Sequence, residues 1–372
     1  MRIIYFSKSY TPHDHRFLRS LSLTEHDVAF LQLEPIGRKT EDREVPKSID
    51  RITWAGGRQA FQLQDAAHLS LDLQRVIHEF APDIIHAGPI QSCAFLAALS
   101  GFPRLLTMSW GYDLIVDASK DALLQWVTQY TLQRSAFFTS DSRFTREKAV
   151  TLGMDPRKTV VFPWGVDIEQ FMPMSRDDES EMAQEDVEMV TFFCSRTWEA
   201  IYGVDVLIDA FVKVARQFPC VSLNLLGGGS METRIRGTIQ SAGLLDRVTF
   251  GGHVSQRDLP QWYGRSDVYV SPSHVDGTSV TLLEAMASGL PCLVSDIPGN
   301  LEWVREGING WTFRDGDVDN LAEKMISVVR ARETFRSIGI AARQTAEDRA
   351  NWNINFGSLL EAYRVVAAQR SG

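Results

Sequence analysis

The chain has 372 residues, long enough for two domains with separate hydrophobic cores. Apolar residues make up 44% and charged residues 23%, the balance of a soluble globular protein. A net charge of −9 with no basic stripe argues against a nucleic-acid binder, which must neutralise many phosphates.

From the N-terminus, Met1-Arg2-Ile3-Ile4 opens a short apolar run that reads as a strand and not as a signal peptide. No stretch approaches the ~18 apolar residues of a membrane span, so any bilayer contact is expected to be peripheral. Cys93, Cys194, Cys220 and Cys292 stand far apart in apolar surroundings without a C-x-x-C pair, and read as reduced core residues of a cytoplasmic protein.

Apolar runs alternate with helical patterns through the first half. Strands are predicted at 3–6, 27–33, 84–86, 104–108, 136–139 and 159–162, with helices at 15–23, 68–79 and 91–99. The spacing His13-Asp14-His15 offers two imidazoles without further ligands nearby, and reads as a loop entering a helix in preference to a metal site.

Residues 173–188 are acidic and polar with little to bury, and read as a linker between a domain over 1–172 and another over 189–352. Alternation then resumes, with strands at 189–194, 222–226, 248–250, 268–270 and 292–295 and an amphipathic helix at 204–217. The tail from about 353 to 372 is a further amphipathic helix carrying Phe356, Leu359, Leu360 and Tyr363.

The densest information lies between Ser271 and Gly310. Asp276 and Glu284 are eight residues apart across a loop-to-helix junction, after a strand at 268–270, with a turn at Gly277 and a helix that Gly289 and Pro291 stop. The amides of Thr278, Ser279 and Val280 fall at the helix start, where unpaired N–H groups and the dipole favour a diphosphate. Glu284, one turn in, is placed for a ribose diol, and Asp276 for what lies beyond the phosphates. Taken singly, Asp before Gly is a turn former and Glu in a first helical turn suits the dipole; the whole pattern is what points to a sugar nucleotide.

This segment resembles the E-x7-E signature of family-4 glycosyltransferases, and the resemblance extends over most of the chain. Ser195-Arg196-Thr197 through Ala210-Phe211 is similar to the family's "GRLxxxKGxxxLIxAF", with Arg196 at the diphosphate-binding Arg and Tyr202 where the family has Lys. Gly227-Gly228-Gly229 matches a nucleotide-approaching glycine loop, and His253-Val254 a stretch whose backbone reads the base. In the first half, Thr107 to Asp113 resembles "TxHGxD" with Trp110 in place of His and Asp113 in its place for an acceptor hydroxyl. His15 and Arg16 occupy the loop where the family has Gly-Gly. Glu302 is expected to brace the signature loop, and Asp315-Gly316-Asp317 is not expected to bind metal.

The resemblance implies an α/β protein of GT-B fold, two Rossmann-like parallel-sheet domains facing a central cleft, with the last helix packed back on the first domain. It implies transfer of a sugar from a nucleoside-diphosphate donor to a hydroxyl of a sugar or lipid-linked glycan, with retention and without a metal cofactor. Asp276, Arg196 and Glu284 would be the catalytic residues. Gly277, Thr278, Ser279, Val280, Tyr202, Gly228 and Val254 would bind the donor, and His15, Arg16, Trp110 and Asp113 would lie on the acceptor side. A nucleotide-sugar epimerase of the same fold and a non-catalytic sugar-nucleotide-binding protein fit the same residues. A NAD-dependent Rossmann enzyme ranks last, because no G-x-G-x-x-G follows the first strand.

Overall fold

The computed structural model describes residues 1–35, 41–174 and 189–369. The chain divides into two compact units, Met1–Pro163 with Phe356–Gly372, and Trp164–Asn355.

In the first unit seven parallel strands, β1 (Arg2–Ser7), β2 (Asp27–Gln32), β3 (Asp50–Arg51), β4 (Ile84–Gly88), β5 (Leu105–Met108), β6 (Phe137–Ser140) and β7 (Thr159–Val161), lie in the order β3-β2-β1-β4-β5-β6-β7. Helices cover both faces of such a sheet, so β1 and β4 are buried almost throughout and read as mainly apolar runs, with His86 the polar exception inside β4. The two-residue β3 is too short to show a period in the sequence.

The first helix spans Pro12–Leu21 and so starts three residues before the expected His15. A capping box sets this start: the Asp14 amide donates to the Thr11 hydroxyl at 3.4 Å, and the Thr11 amide donates to the Asp14 carboxylate at 2.8 Å. The final helix, Trp352–Ala368, joins the first unit from Phe356 onward, where buried Tyr363 places its hydroxyl 2.8 Å from Nδ1 of His86 on β4.

The second unit holds β8 (Val190–Cys194), β9 (Val221–Leu226), β10 (Val248–Gly252), β11 (Val268–Ser271), β12 (Cys292–Ser295) and β13 (Gly310–Phe313), all parallel, in the order β10-β9-β8-β11-β12-β13. The helix Val204–Gln217 buries Leu207, Phe211 and Val214 against one face of the sheet.

The second unit begins at Trp164, whereas the sequence reading ends the first domain at 172. Val166 and Phe171 belong to the second unit's core, and Arg343 donates from Nη1 to the carbonyls of Ile168, Phe171 and Ala287 at 2.6–3.0 Å. Hydrophobic burial and these bonds, not polarity, decide which core a segment joins. The expected acidic linker lies outside the described residues except for Pro173 and Met174.

Strand order reverses between β1 and β4 in one sheet and between β8 and β11 in the other. At such a point adjacent strands send their following segments to opposite faces, which opens a crevice at the strands' carboxyl ends.

Candidate active site

The second unit's reversal point brings Arg196, two residues past β8, to the segment that follows β11. Arg196 is only 9% exposed. Its Nη1 donates to the hydroxyls of Ser279 at 2.8 Å and Thr281 at 3.3 Å, and its Nη2 donates to Asp276 Oδ2 at 2.7 Å. The ring of Tyr202 covers the guanidinium with its centroid 4.2 Å from Cζ, while Nε is buried without a hydrogen-bond partner among the described residues. Burial opposes the charge of Arg196, but the Asp276 carboxylate together with Tyr202, Tyr269 and Cys194 more than offsets this, so the guanidinium holds its proton more firmly than usual.

Ser279 is the N-cap of the helix Val280–Ala287, accepting at Oγ from the Leu282 amide at 3.4 Å. Thr278, Ser279 and Val280 precede the first backbone bond of this turn, from the Leu283 amide to the Ser279 carbonyl. One turn in, Glu284 is 2% exposed and accepts from the Tyr263 hydroxyl at 2.9 Å. That hydroxyl also lies 3.0 Å from the Thr281 carbonyl, and the Tyr269 hydroxyl lies 2.7 Å from Thr281 Oγ1. Burial, then the Glu284 charge, pushes the Tyr263 phenol well above its ordinary pKa, so it stays a donor.

Gly277 sits buried above the short helix Pro298–Leu301. A Cβ on Gly299 would fall 2.2 Å from the Gly277 carbonyl oxygen and 2.4 Å from that of Asp276. Trp303 donates from Nε1 to Thr278 Oγ1 at 3.4 Å. The loop is thus supported by Gly299 and Trp303, which flank the half-buried Glu302 expected to brace it.

The glycine loop after β9 is clasped by the segment after β8. The Trp198 amide donates to the Gly228 carbonyl at 3.1 Å, and the Ser230 amide donates to Glu199 Oε1 at 2.9 Å. A Cβ on Gly228 would meet nothing within 4 Å, whereas one on Gly229 would lie 2.5 Å from the Trp198 carbonyl oxygen. Val254 packs partly buried against the core that contains Leu226 and Tyr263, with His253 exposed beside it. Asp315 and Asp317 diverge: Asp315 lies 2.6 Å from Nδ1 of His274, and Asp317 caps the helix Val318–Arg330.

In the first unit the carboxyl ends of β1, β4 and β5 carry the residues expected on the acceptor side. His15 is 6% exposed with Nδ1 2.6 Å from the Tyr10 hydroxyl, and burial followed by the nearby Arg43 charge lowers its pKa to about 4. Arg16 is half-buried on the same helix. The Trp110 ring meets that of His13 edge-on at 5.9 Å, so the two histidines flanking Asp14 point to different partners.

Asp113, expected to take an acceptor hydroxyl, is 1% exposed and bonded within its own unit. Its Oδ1 accepts from the Ser109 hydroxyl at 2.6 Å and from the Trp110 and Leu114 amides at 3.0 Å, while Oδ2 accepts from the Ile90 amide at 3.0 Å. The carboxylate thus ties the segment that carries Trp110 to the Ile90 amide. Burial still raises its pKa to about 6.

A family model described as glycosyl transferases group 1 matches residues 175–345, and one described as glycosyl transferase 4-like domain matches residues 13–165. The chain belongs to the family-4 glycosyltransferases. This glycosyltransferase is 25% identical to a GDP-mannose-dependent alpha-(1-6)-phosphatidylinositol monomannoside mannosyltransferase of Mycobacterium tuberculosis, over 76% of this chain and 75% of that protein. It is also 25% identical to the putative colanic acid biosynthesis glycosyltransferase WcaL of Salmonella typhimurium, over 97% of this chain and 92% of that protein. The fold is that of Anabaena HepE, solved in complex with UDP and glucose, with a TM-score of 0.78 and 19% identity over 98% of this chain and 99% of that one. That likeness makes this glycosyltransferase a GT-B protein.

Within this glycosyltransferase, sequence reasoning missed Tyr263, Thr281, Gly299 and Trp303 as parts of the site. Tyr263 and Trp303 carry polar tips on buried rings, and such a residue signals a buried acceptor only once its neighbour is known. Gly299 looks like any glycine after proline until the loop above it is placed.

Proposed function

We propose that this glycosyltransferase holds a nucleoside-diphosphate sugar on the second unit and transfers the sugar to an acceptor hydroxyl with retention of configuration. The observation that carries the reading is the convergence of a buried Arg196, the capped helix start at Ser279 and the carboxylates of Asp276 and Glu284 within one set of contacts.

Arg196 and the amides of Thr278, Ser279 and Val280 neutralise charge that develops on the leaving diphosphate. Glu284 takes the ribose diol, Asp276 orients sugar hydroxyls, and Gly228 and Val254 line the base side. The donor's own leaving oxygen takes the acceptor proton, so no protein nucleophile is required. Metal is not part of the proposal, since a guanidinium and a helix start supply the electrophilic stabilisation.

The acceptor proposed is a sugar or lipid-linked glycan, in glycolipid or polysaccharide synthesis, a reading supported by the phosphatidylinositol monomannoside and the colanic acid biosynthesis that the names of the two relatives print. No helix among the described residues is long and apolar enough to cross a membrane, so bilayer contact is proposed as peripheral. Exposed Leu71, Leu123 and Trp126 surround an apolar groove of about 720 Å³ on the first unit and support it.

Thermal stabilisation by UDP, GDP, ADP and dTDP tests the reading. A nucleotide at 100 times its Kd adds about 2.7 kcal/mol to native stability. A shift with one nucleotide that Glu284→Ala abolishes supports the site; no shift with any of the four sinks it.

A further inference from the structure

We propose that Tyr202 is a positioning residue for Arg196, acting through the face of its ring and not through a hydrogen bond to the diphosphate; this rests on the donor-site reading above. The edge of the Arg196 guanidinium is committed to Ser279, Thr281 and Asp276, and the 4.2 Å contact with Tyr202 fixes the remaining direction, the tilt of its plane. A cation is drawn to the electron-rich face of an aromatic ring, and more strongly where water is scarce. Arg196 meets that condition, being 9% exposed.

The backbone presents this ring rigidly. Ala200–Tyr202 forms a 3-10 turn in which the Tyr202 amide donates to the Glu199 carbonyl at 2.9 Å. Gly203 follows at φ 58°, and a Cβ there would stand 2.2 Å from the Pro272 carbonyl oxygen, so the turn lies directly against the segment that carries Asp276. The His274 amide closes the contact by donating to the Ile201 carbonyl at 3.0 Å. Both Arg196 and its aromatic cover are therefore tied to one loop.

The consequence concerns charge. A lysine at this position would place a second cation beside Arg196, where like charges repel. Tyr202 adds no charge and leaves the diphosphate to Arg196 and the helix-start amides, with the guanidinium already held in plane.

The test is a double-mutant cycle read by calorimetric titration of UDP, GDP, ADP and dTDP, together with the Tm of each variant. Tyr202→Phe keeps the ring face and is expected to bind within about twofold of wild type. Tyr202→Leu keeps bulk without the face and is expected to weaken binding roughly three- to thirtyfold at unchanged Tm. In an Arg196→Gln background the Leu substitution is expected to cost nothing further. Tyr202→Phe behaving like Tyr202→Leu would overturn the proposal in favour of a hydroxyl contact, and fully additive losses in the cycle would overturn it as well. Wild-type binding by Arg196→Gln, or no binding of any of the four nucleotides by the wild type, would instead remove the donor-site reading on which the proposal stands.

Discussion

The Asp276 carboxylate lies 2.7 Å from Nη2 of Arg196, with the two side chains 17% and 10% exposed. An acidic residue and the proposed diphosphate thus draw on the same guanidinium, and two anions compete for one cation.

Asp276→Asn should consequently separate binding from turnover. Removing the competing charge leaves the positive charge of Arg196 unopposed by Asp276, so nucleoside diphosphate is expected to bind several-fold tighter, about 1 kcal/mol. Sugar transfer is expected to fall at least tenfold, because the carboxylate that orients the sugar is gone. Calorimetric Kd values beside kcat decide it; weaker nucleotide binding in the variant would contradict the competition.

Glu284 has a structural partner in Tyr263 and a proposed functional one in the ribose, and two substitutions tell them apart. Glu284→Gln keeps an acceptor for the Tyr263 hydroxyl and should lose nucleotide affinity with little change in Tm. Glu284→Ala strands a buried phenol and is expected to lose about 1–3 kcal/mol of stability as well. Denaturant titration and nucleotide binding on both variants supply the comparison.

Gly299→Ala probes the loop from beneath. Its Cβ cannot stand 2.2 Å from the Gly277 carbonyl oxygen, so the loop bearing Asp276 must shift. Nucleotide affinity is expected to drop at least tenfold for a stability cost of about 1–3 kcal/mol. Unchanged affinity would show that the loop tolerates displacement.

The first unit should respond to acid through His86. Burial lowers its pKa to about 3, so between about pH 6.5 and 3 the unfolded chain holds a proton there that the folded chain refuses, and this contribution is lost as pH falls through that window. Asp14 and Asp113 act oppositely: burial raises both to about 6, so the folded chain holds their protons more readily and they favour folding as pH falls from 6 towards 4. Replacing His86 with Phe removes one opposing term and should tilt the stability profile between pH 4 and 6 by about 1.4 kcal/mol per pH unit towards greater stability in acid. Calorimetric melts of wild type and variant across this range test the slope.

The proposed bilayer contact predicts a hydrophobic and not an electrostatic dependence. Trp126 is 50% exposed, and its emission is expected to shift blue on phosphatidylcholine vesicles with little effect of salt, given a net charge of −9. Trp126→Ser with Leu123→Ser should abolish vesicle binding. Binding that persists in this variant would move the contact elsewhere.

Much of this protein was legible without coordinates, for a physical reason. A strand buried on both faces is mainly apolar, and a crossover helix must carry an apolar stripe, so β1, β4, β8 and the helix Val204–Gln217 announce themselves through local composition. Asp276, Gly277, Ser279 and Glu284 are near neighbours in sequence, and a helix start with two flanking carboxylates can be read from spacing alone. Tertiary structure decided what depends on residues far apart. Arg196 is 80 positions from Asp276, His86 is 277 from Tyr363, and Tyr263 reaches Glu284 from another helix. It also decided that Asp113 turns into its own loop and that Trp164 opens the second unit. Side-chain chemistry names what a residue can bond. Only the packed chain determines whether that capacity is spent inside the protein or kept for a ligand.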